Sequence, residues 1–245
     1  MSYPVLGEVG RDGRIRIMLL WPVRCFVALC IALLSSVVIG HDLSADNSAF
    51  VQGLSGPAIG PFLYLGAKHM FTGYDHLLFL LGVIFFLYRP RDILLYVTLF
   101  TLGHSLTLML GVWAHWQVNE HLVDAIIGLS IVYKAFENMG GFQTVLKINP
   151  DPRIAVLVFG LCHGLGLATK LQASINSGDG LITNLLSFNV GVELGQLLAL
   201  CLMLLVLLQW RRQPRFRSQA FVLNAVVMCA GFVLAGNQFA GYLFS

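Results

Sequence analysis

The chain has 245 residues, 57% of them hydrophobic and only 11% charged, with 15 Lys+Arg against 12 Asp+Glu and a net charge of +3. Soluble domains carry about 25% charged residues, so the composition argues against a soluble enzyme, a nucleic-acid binder or a disordered tail. The length suits one domain of six or seven membrane helices of about 20 residues each.

The N-terminus reads as an address. Residues 25–39 (CFVALCIALLSSVVI) are apolar, follow Arg24, end at Gly40 and lead into the polar stretch HDLSADNS. A basic flank, a short apolar core and small exit residues describe a cleavable signal peptide over 1–40, with Val38 and Gly40 at the −3 and −1 positions. Met18 is an alternative start, and an uncleaved helix over Ile17–Ile39 is the rival reading. Cleavage leaves His41 as the new N-terminus, where its amine and imidazole form a candidate metal ligand. Residues 41–60 form an outer polar segment, and 61–245 form the transmembrane domain. The five cysteines (Cys25, Cys30, Cys162, Cys201, Cys229) lie in apolar runs without a CxxC pair, which disfavours disulfides and thiolate zinc sites.

Six apolar segments follow, near 74–88, 92–114, 121–138, 153–170, 183–210 and 220–243. An apolar-aromatic piece, Pro61–Thr72, precedes the first. The runs are continuous rather than alternating, and lipid demands internally paired backbones. The expectation is an all-α polytopic bundle of about six transmembrane helices. Arg89, Arg91, Lys134, Lys147, Arg153, Arg211, Arg212, Arg215 and Arg217 fall on one side, against Lys68 and Lys170 on the other. The basic side belongs in the cytoplasm. This predicts a membrane protein with both mature ends outside.

Several spans carry groups that lipid disfavours. An ionisable residue at mid-membrane costs about 2.5–3.5 kcal/mol on insertion scales, so it faces the interior and usually has a task. The first span opens with Asp75 and His76, with His69 seven residues before His76. His104 lies mid-way along the second span, and His163 along the fourth. The third span carries Lys134, Glu137 and Asn138. The fifth carries Asn189, Glu193 and Gln196 at i, i+4 and i+7, one helical face. Each also has a structural explanation: a neutral histidine tie between helices, a Lys134–Glu137 pair, or amide glue. Three histidines and two carboxylates together strain that explanation. Imidazole, carboxylate and amide donors suit borderline divalent ions such as nickel, cobalt or zinc. The membrane potential draws such an ion inward with about 4.6 kcal/mol per 100 mV. A Walker motif is absent, so no nucleotide powers transport from within this chain.

The segment His69-Met-Phe-Thr-Gly-Tyr-Asp75-His76 resembles the His-x5-Asp-His motif of the HupE/UreJ family of bacterial membrane proteins, regarded as secondary nickel or cobalt permeases. Met70 stands where that family usually has Pro. Phe100-Thr-Leu-Gly-His104, Ala135-Phe-Glu137-Asn138, His163-Gly-Leu-Gly and Phe188-Asn189-Val-Gly-Val-Glu193-Leu-Gly-Gln196 look like the divergent HupE/UreJ-like branch. The resemblance implies metal recognition by His69, Asp75 and His76.

The expected function is therefore secondary uptake of a divalent metal ion, nickel or cobalt first and zinc as a third option. His69, Asp75, His76, His104, His163 and Glu193 are the expected ligands. Glu137, Asn138, Asn189 and Gln196 support the polar route. The metal is substrate, and no cofactor is required. The partners are the lipid bilayer and the metal ion, with neither nucleic acid nor nucleotide. An intramembrane metal-dependent hydrolase is one alternative, although HExxH is absent. A non-transporting metal-binding accessory subunit is the other.

Overall fold

The computed structural model describes residues 56–172 and 180–244. The signal peptide, His41 and most of the outer polar segment lie outside the described residues. All the regular structure described is helical: α1 Ile59–Thr72, α2 Tyr74–Ile84, α3 Pro90–Trp113, α4 Glu120–Asn138, α5 Pro152–Gln172, α6 Leu181–Arg211 and α7 Phe216–Phe244, with a π-helical turn at Phe142–Leu146 between α4 and α5. The starts follow local chemistry. Pro90 opens α3 in the first turn, where its missing N–H costs nothing. Asn119 caps α4 by accepting from the Leu122 N–H. Gly180 precedes α6 at φ +82, and a Cβ there would lie 2.6 Å from Pro57 N.

α3, α5, α6 and α7 are each long and apolar enough to cross a membrane. α4 matches its expected span but carries Glu120, Asp124, Lys134 and Glu137 over 19 residues. The first span differs from expectation. Helix begins at Ile59, two residues inside the expected polar segment, breaks at Gly73, and ends at Ile84 instead of near residue 88.

Register explains how the broken span crosses the bundle. Leu63 faces Gly191 and Ala67 faces Gly195, so α1 runs parallel to α6. Further along, Arg211 at the end of α6 reaches the carbonyls of Ile84 and Phe85. α1 and α2 together therefore accompany α6 from end to end as one discontinuous helix.

Glycines make the tightest helix pairs. Gly66 and Gly191 let α1 touch the α6 backbone at Phe188 and let α6 touch α1 at Leu63. Gly103, Gly160 and Gly164 do the same for α3 and α5, again in parallel, with Phe100 against Gly160 and His104 against Gly164. α4 and α7 run antiparallel, with Gly128 beside Ala235, Val132 beside Gly231 and Asn138 bonded to Asn224. Such close backbone approach is how helices associate in lipid, where no hydrophobic driving force acts between them. These directions agree with six alternating crossings. α2 lies between the pairs, and Asp75, His76 and Leu78–Ile84 are all buried. The outer faces are apolar, with Leu94, Leu102, Leu106, Leu186, Leu198 and Val222 exposed.

A candidate metal site at the break in the first span

Gly73 separates His69, in the last turn of α1, from Asp75 and His76, in the first turn of α2. A Cβ at Gly73 would lie 2.9 Å from His76 Nδ1 and 3.0 Å from the His69 carbonyl oxygen, so a side chain here would crowd the ends of both half-helices. Asp75 sits at a helix N-terminus, where the helix dipole favours a carboxylate.

One oxygen of Asp75 accepts from the backbone N–H of His76 at 2.7 Å and meets its ring Nδ1 at 2.8 Å. The carboxylate can only accept, so Nδ1 carries the hydrogen and Nε2 presents its lone pair. This carboxylate–imidazole arrangement fixes tautomer and orientation in metal-ligating histidines. His76 Nε2 is buried without a hydrogen-bond partner. His163 is set in the same way, because its Nδ1 donates to the Phe159 carbonyl at 2.7 Å. His104 is 1% exposed, and neither of its ring nitrogens has a hydrogen-bond partner. An unsatisfied buried polar group costs about 1–3 kcal/mol, and such exceptions in a well-packed fold call for a functional explanation.

The four rings belong to one cluster drawn from four helices. The His76 ring centroid lies 5.0 Å from that of His69, 5.8 Å from His104 and 4.9 Å from His163. Phe100 packs against His76, His104 and His163, and Phe188 packs beside His69. Among the described residues, no three His, Cys, Asp or Glu side chains are placed to hold a metal ion together. The donors are gathered but not drawn together.

Residues 45–245 match the family described as HupE / UreJ protein. The chain belongs to the HupE/UreJ family. No curated protein and no solved structure matches it. With its apolar helices, this HupE/UreJ chain is a membrane protein.

The other expected site residues of this HupE/UreJ protein are spread along the bundle. Asn189 and Gln196 are buried on α6, and Asn189 Oδ1 and Gln196 Nε2 lack partners. Gln196 Oε1 stands 3.0 Å from the Thr101 hydroxyl of α3. Glu193 does not join the cluster. The buried arc of α6 is centred on Phe188, Val192 and Gly195, and Glu193 lies roughly 40° round the helix beyond Asn189. That places it on the exposed face with Leu186, Val190, Leu194 and Leu197. Glu137 pairs with Lys134 at 2.8 Å, near the basic end of the bundle. Asn138 donates to the Gly82 carbonyl and to Asn224.

Sequence reasoning missed three features of the site. Phe79, one turn beyond His76 on α2, packs against Phe100, Phe159 and the His163 ring and forms an aromatic layer under the imidazoles. The position three residues after His76 was its only sequence signal. Asn184 clamps the start of α1, accepting from Ala58 N–H at 2.7 Å and donating to the Gly56 carbonyl. Arg211, read as part of a topology signal, also caps α2 and lies over the Tyr88 ring, 4.5 Å from its centroid.

Proposed function

We propose that this membrane protein is a secondary permease for a divalent transition-metal ion, nickel or cobalt first, with the ion moving from the outer face toward the basic, cytoplasmic end. The observation that carries the reading is the convergence of His69, His76, His104 and His163 from four helices at the break in the first span. Asp75 holds His76 ready as a donor. Imidazole nitrogen suits nickel, cobalt and zinc. Discontinuous helices that place half-helix ends at a mid-membrane site recur in secondary transporters.

In this reading, because among the described residues no three donors are placed to hold an ion at rest, binding requires the side chains to shift, and a shell that forms only around the ion can also release it. Phe79 and Phe100 separate the cluster from the basic end, so passage requires that aromatic layer to part. Asn189 offers its amide oxygen beside the route, whereas the Gln196 oxygen is engaged by the Thr101 hydroxyl. Glu193 faces outward and is left out of it. The signal peptide, the inner-membrane location and the outward termini complete the proposal, supported by the Lys and Arg bias.

The test is whole-cell metal content by mass spectrometry across nickel, cobalt, zinc, copper and manganese. Cells expressing the unaltered protein are compared with cells expressing His76→Ala at equal membrane abundance. A single metal that rises only with the unaltered protein names the substrate. No change in any metal sinks the permease reading and favours a metal-holding accessory subunit.

A further inference from the structure

Two turns beyond His76, on the far side of the Phe79 layer, α2 and α4 enclose a second polar site. Lys134 is 7% exposed, and its stem lies against α2 with Cγ about one contact distance from Gly82, where an added Cβ would come within 3.0 Å. Its ammonium meets Glu137 Oε2 at 2.8 Å, and the Glu137 side chain is itself only 17% exposed. Asn138 adjoins the pair and bonds the Gly82 carbonyl. A half-buried ion pair inside a membrane protein is costly to build. This one, on α4, packs against α2, the half-helix that carries His76.

We propose that Glu137 is a second cation site for the transported divalent ion, and that the Lys134 ammonium occupies it whenever the ion is absent. The inference rests on the permease reading and deepens it. A dication leaving the imidazoles passes a dry aromatic layer and then needs a compensating negative charge. Glu137 supplies that charge on the side toward the basic end. Left bare, the same carboxylate would have nothing to displace the dication and would be an uncompensated, half-buried charge between ions. Lys134 solves both problems, because its flexible stem lets the ammonium withdraw when the ion arrives and return to displace it. One carboxylate and an amide bind more weakly than several imidazoles, which suits a site of release.

The experiment uses the full chain in lipid nanodiscs with Ni2+ as the probe, and equilibrium dialysis read by mass spectrometry. Lys134→Gln is expected to hold one further Ni2+ per chain than the unaltered protein. Lys134→Arg is expected to hold the same number as the unaltered protein, and K134Q/E137Q to lose the extra ion. An unchanged Ni2+ number in Lys134→Gln overturns the proposal, as does an extra ion that survives Glu137→Gln. As a second measurement, Glu137→Gln alone is expected to slow Ni2+ flux in proteoliposomes at least tenfold while His-cluster affinity stays unchanged; unaltered flux overturns the proposal. If the unaltered protein and His76→Ala bind no Ni2+ while Lys134→Gln still binds one through Glu137, the permease site fails and the second site stands.

Discussion

Asp75 and His76 are neighbours in sequence and are locked to each other: one carboxylate oxygen engages both the backbone N–H and the ring Nδ1 of the histidine. The ring can neither flip nor change tautomer without breaking that contact, so Nε2 stays the donor. Asp75→Asn preserves size and acceptor geometry but removes the carboxylate charge that holds the Nδ1–H and so fixes the orientation of the imidazole. Loss of such an outer carboxylate typically costs 10–100-fold in metal affinity. The expected outcome is a loss of about that size in Ni2+ affinity by titration calorimetry, with thermal stability little changed. Equal affinity would remove Asp75 from the site.

His104 tests whether the cluster is functional or structural. Both ring nitrogens are buried without partners, so the ring contributes little to the resting fold beyond its packing. Replacing it by a similar-sized apolar side chain removes two unsatisfied groups. His104→Leu should therefore raise stability by about 1–3 kcal/mol, read as a higher unfolding midpoint in detergent, while metal uptake is lost. A His104 kept as an interhelical tie predicts the reverse, destabilisation with uptake retained.

Much of the helical layout was legible because lipid-embedded helices leave long apolar runs. Spans expected near 92–114, 153–170 and 183–210 appear as Pro90–Trp113, Pro152–Gln172 and Leu181–Arg211. The broken first span was not legible. Residues 61–72 and 74–88 read as two apolar pieces, and nothing local tells whether a glycine kinks a helix or ends it. Only the parallel register with α6 shows that the two pieces cross as one. Histidine was a guide to the bundle interior because it is costly in lipid. Glu193 was a poor one: the i, i+4, i+7 rule groups residues spread over about 60° of arc, and Glu193 falls past the edge of the buried stripe. Phe79 and Arg211 escaped notice because a phenylalanine in an apolar run and an arginine in a basic cluster look ordinary until their neighbours are known.

The glycine-paired helices make a graded prediction. A Cβ at Gly191 would run into the Leu63 carbonyl of α1, where backbone cannot yield. Gly191→Ala should force α1 away from α6 and destabilise by about 1–3 kcal/mol, as overpacking does. It should also lower metal affinity, because α1 carries His69. Gly236 on α7 has nothing within 4 Å of its Cβ position. Gly236→Ala should be neutral or stabilising by up to about 1 kcal/mol. Thermal unfolding of the two variants side by side checks the contrast, and equal effects would refute the close-packing account of the α1–α6 pair.

Arg211 links the basic end of the bundle to the imidazole cluster. The last carbonyls of a helix have no partner within it, and those of α2 end in the interior of the bundle instead of in water. Arg211 donates to the carbonyls of Ile84 and Phe85, and its guanidinium lies over Tyr88. Because α2 carries His76 at its other end, releasing this cap frees the half-helix to shift along its axis and moves the donor. Arg211→Ala should cost about 1.5–3 kcal/mol, the range for hydrogen bonds to a charged group, and weaken Ni2+ binding as well. Arg212→Ala is the matched control, since Arg212 is exposed and should change stability by no more than about 0.5 kcal/mol. Arg211→Lys keeps the positive charge for membrane topology but loses the planar guanidinium that lies over Tyr88 and the reach of its one terminal nitrogen to both carbonyls. It should insert normally yet recover only part of the affinity. A variant that restored full affinity would mean that charge alone, and not the two-carbonyl cap, holds α2 in place.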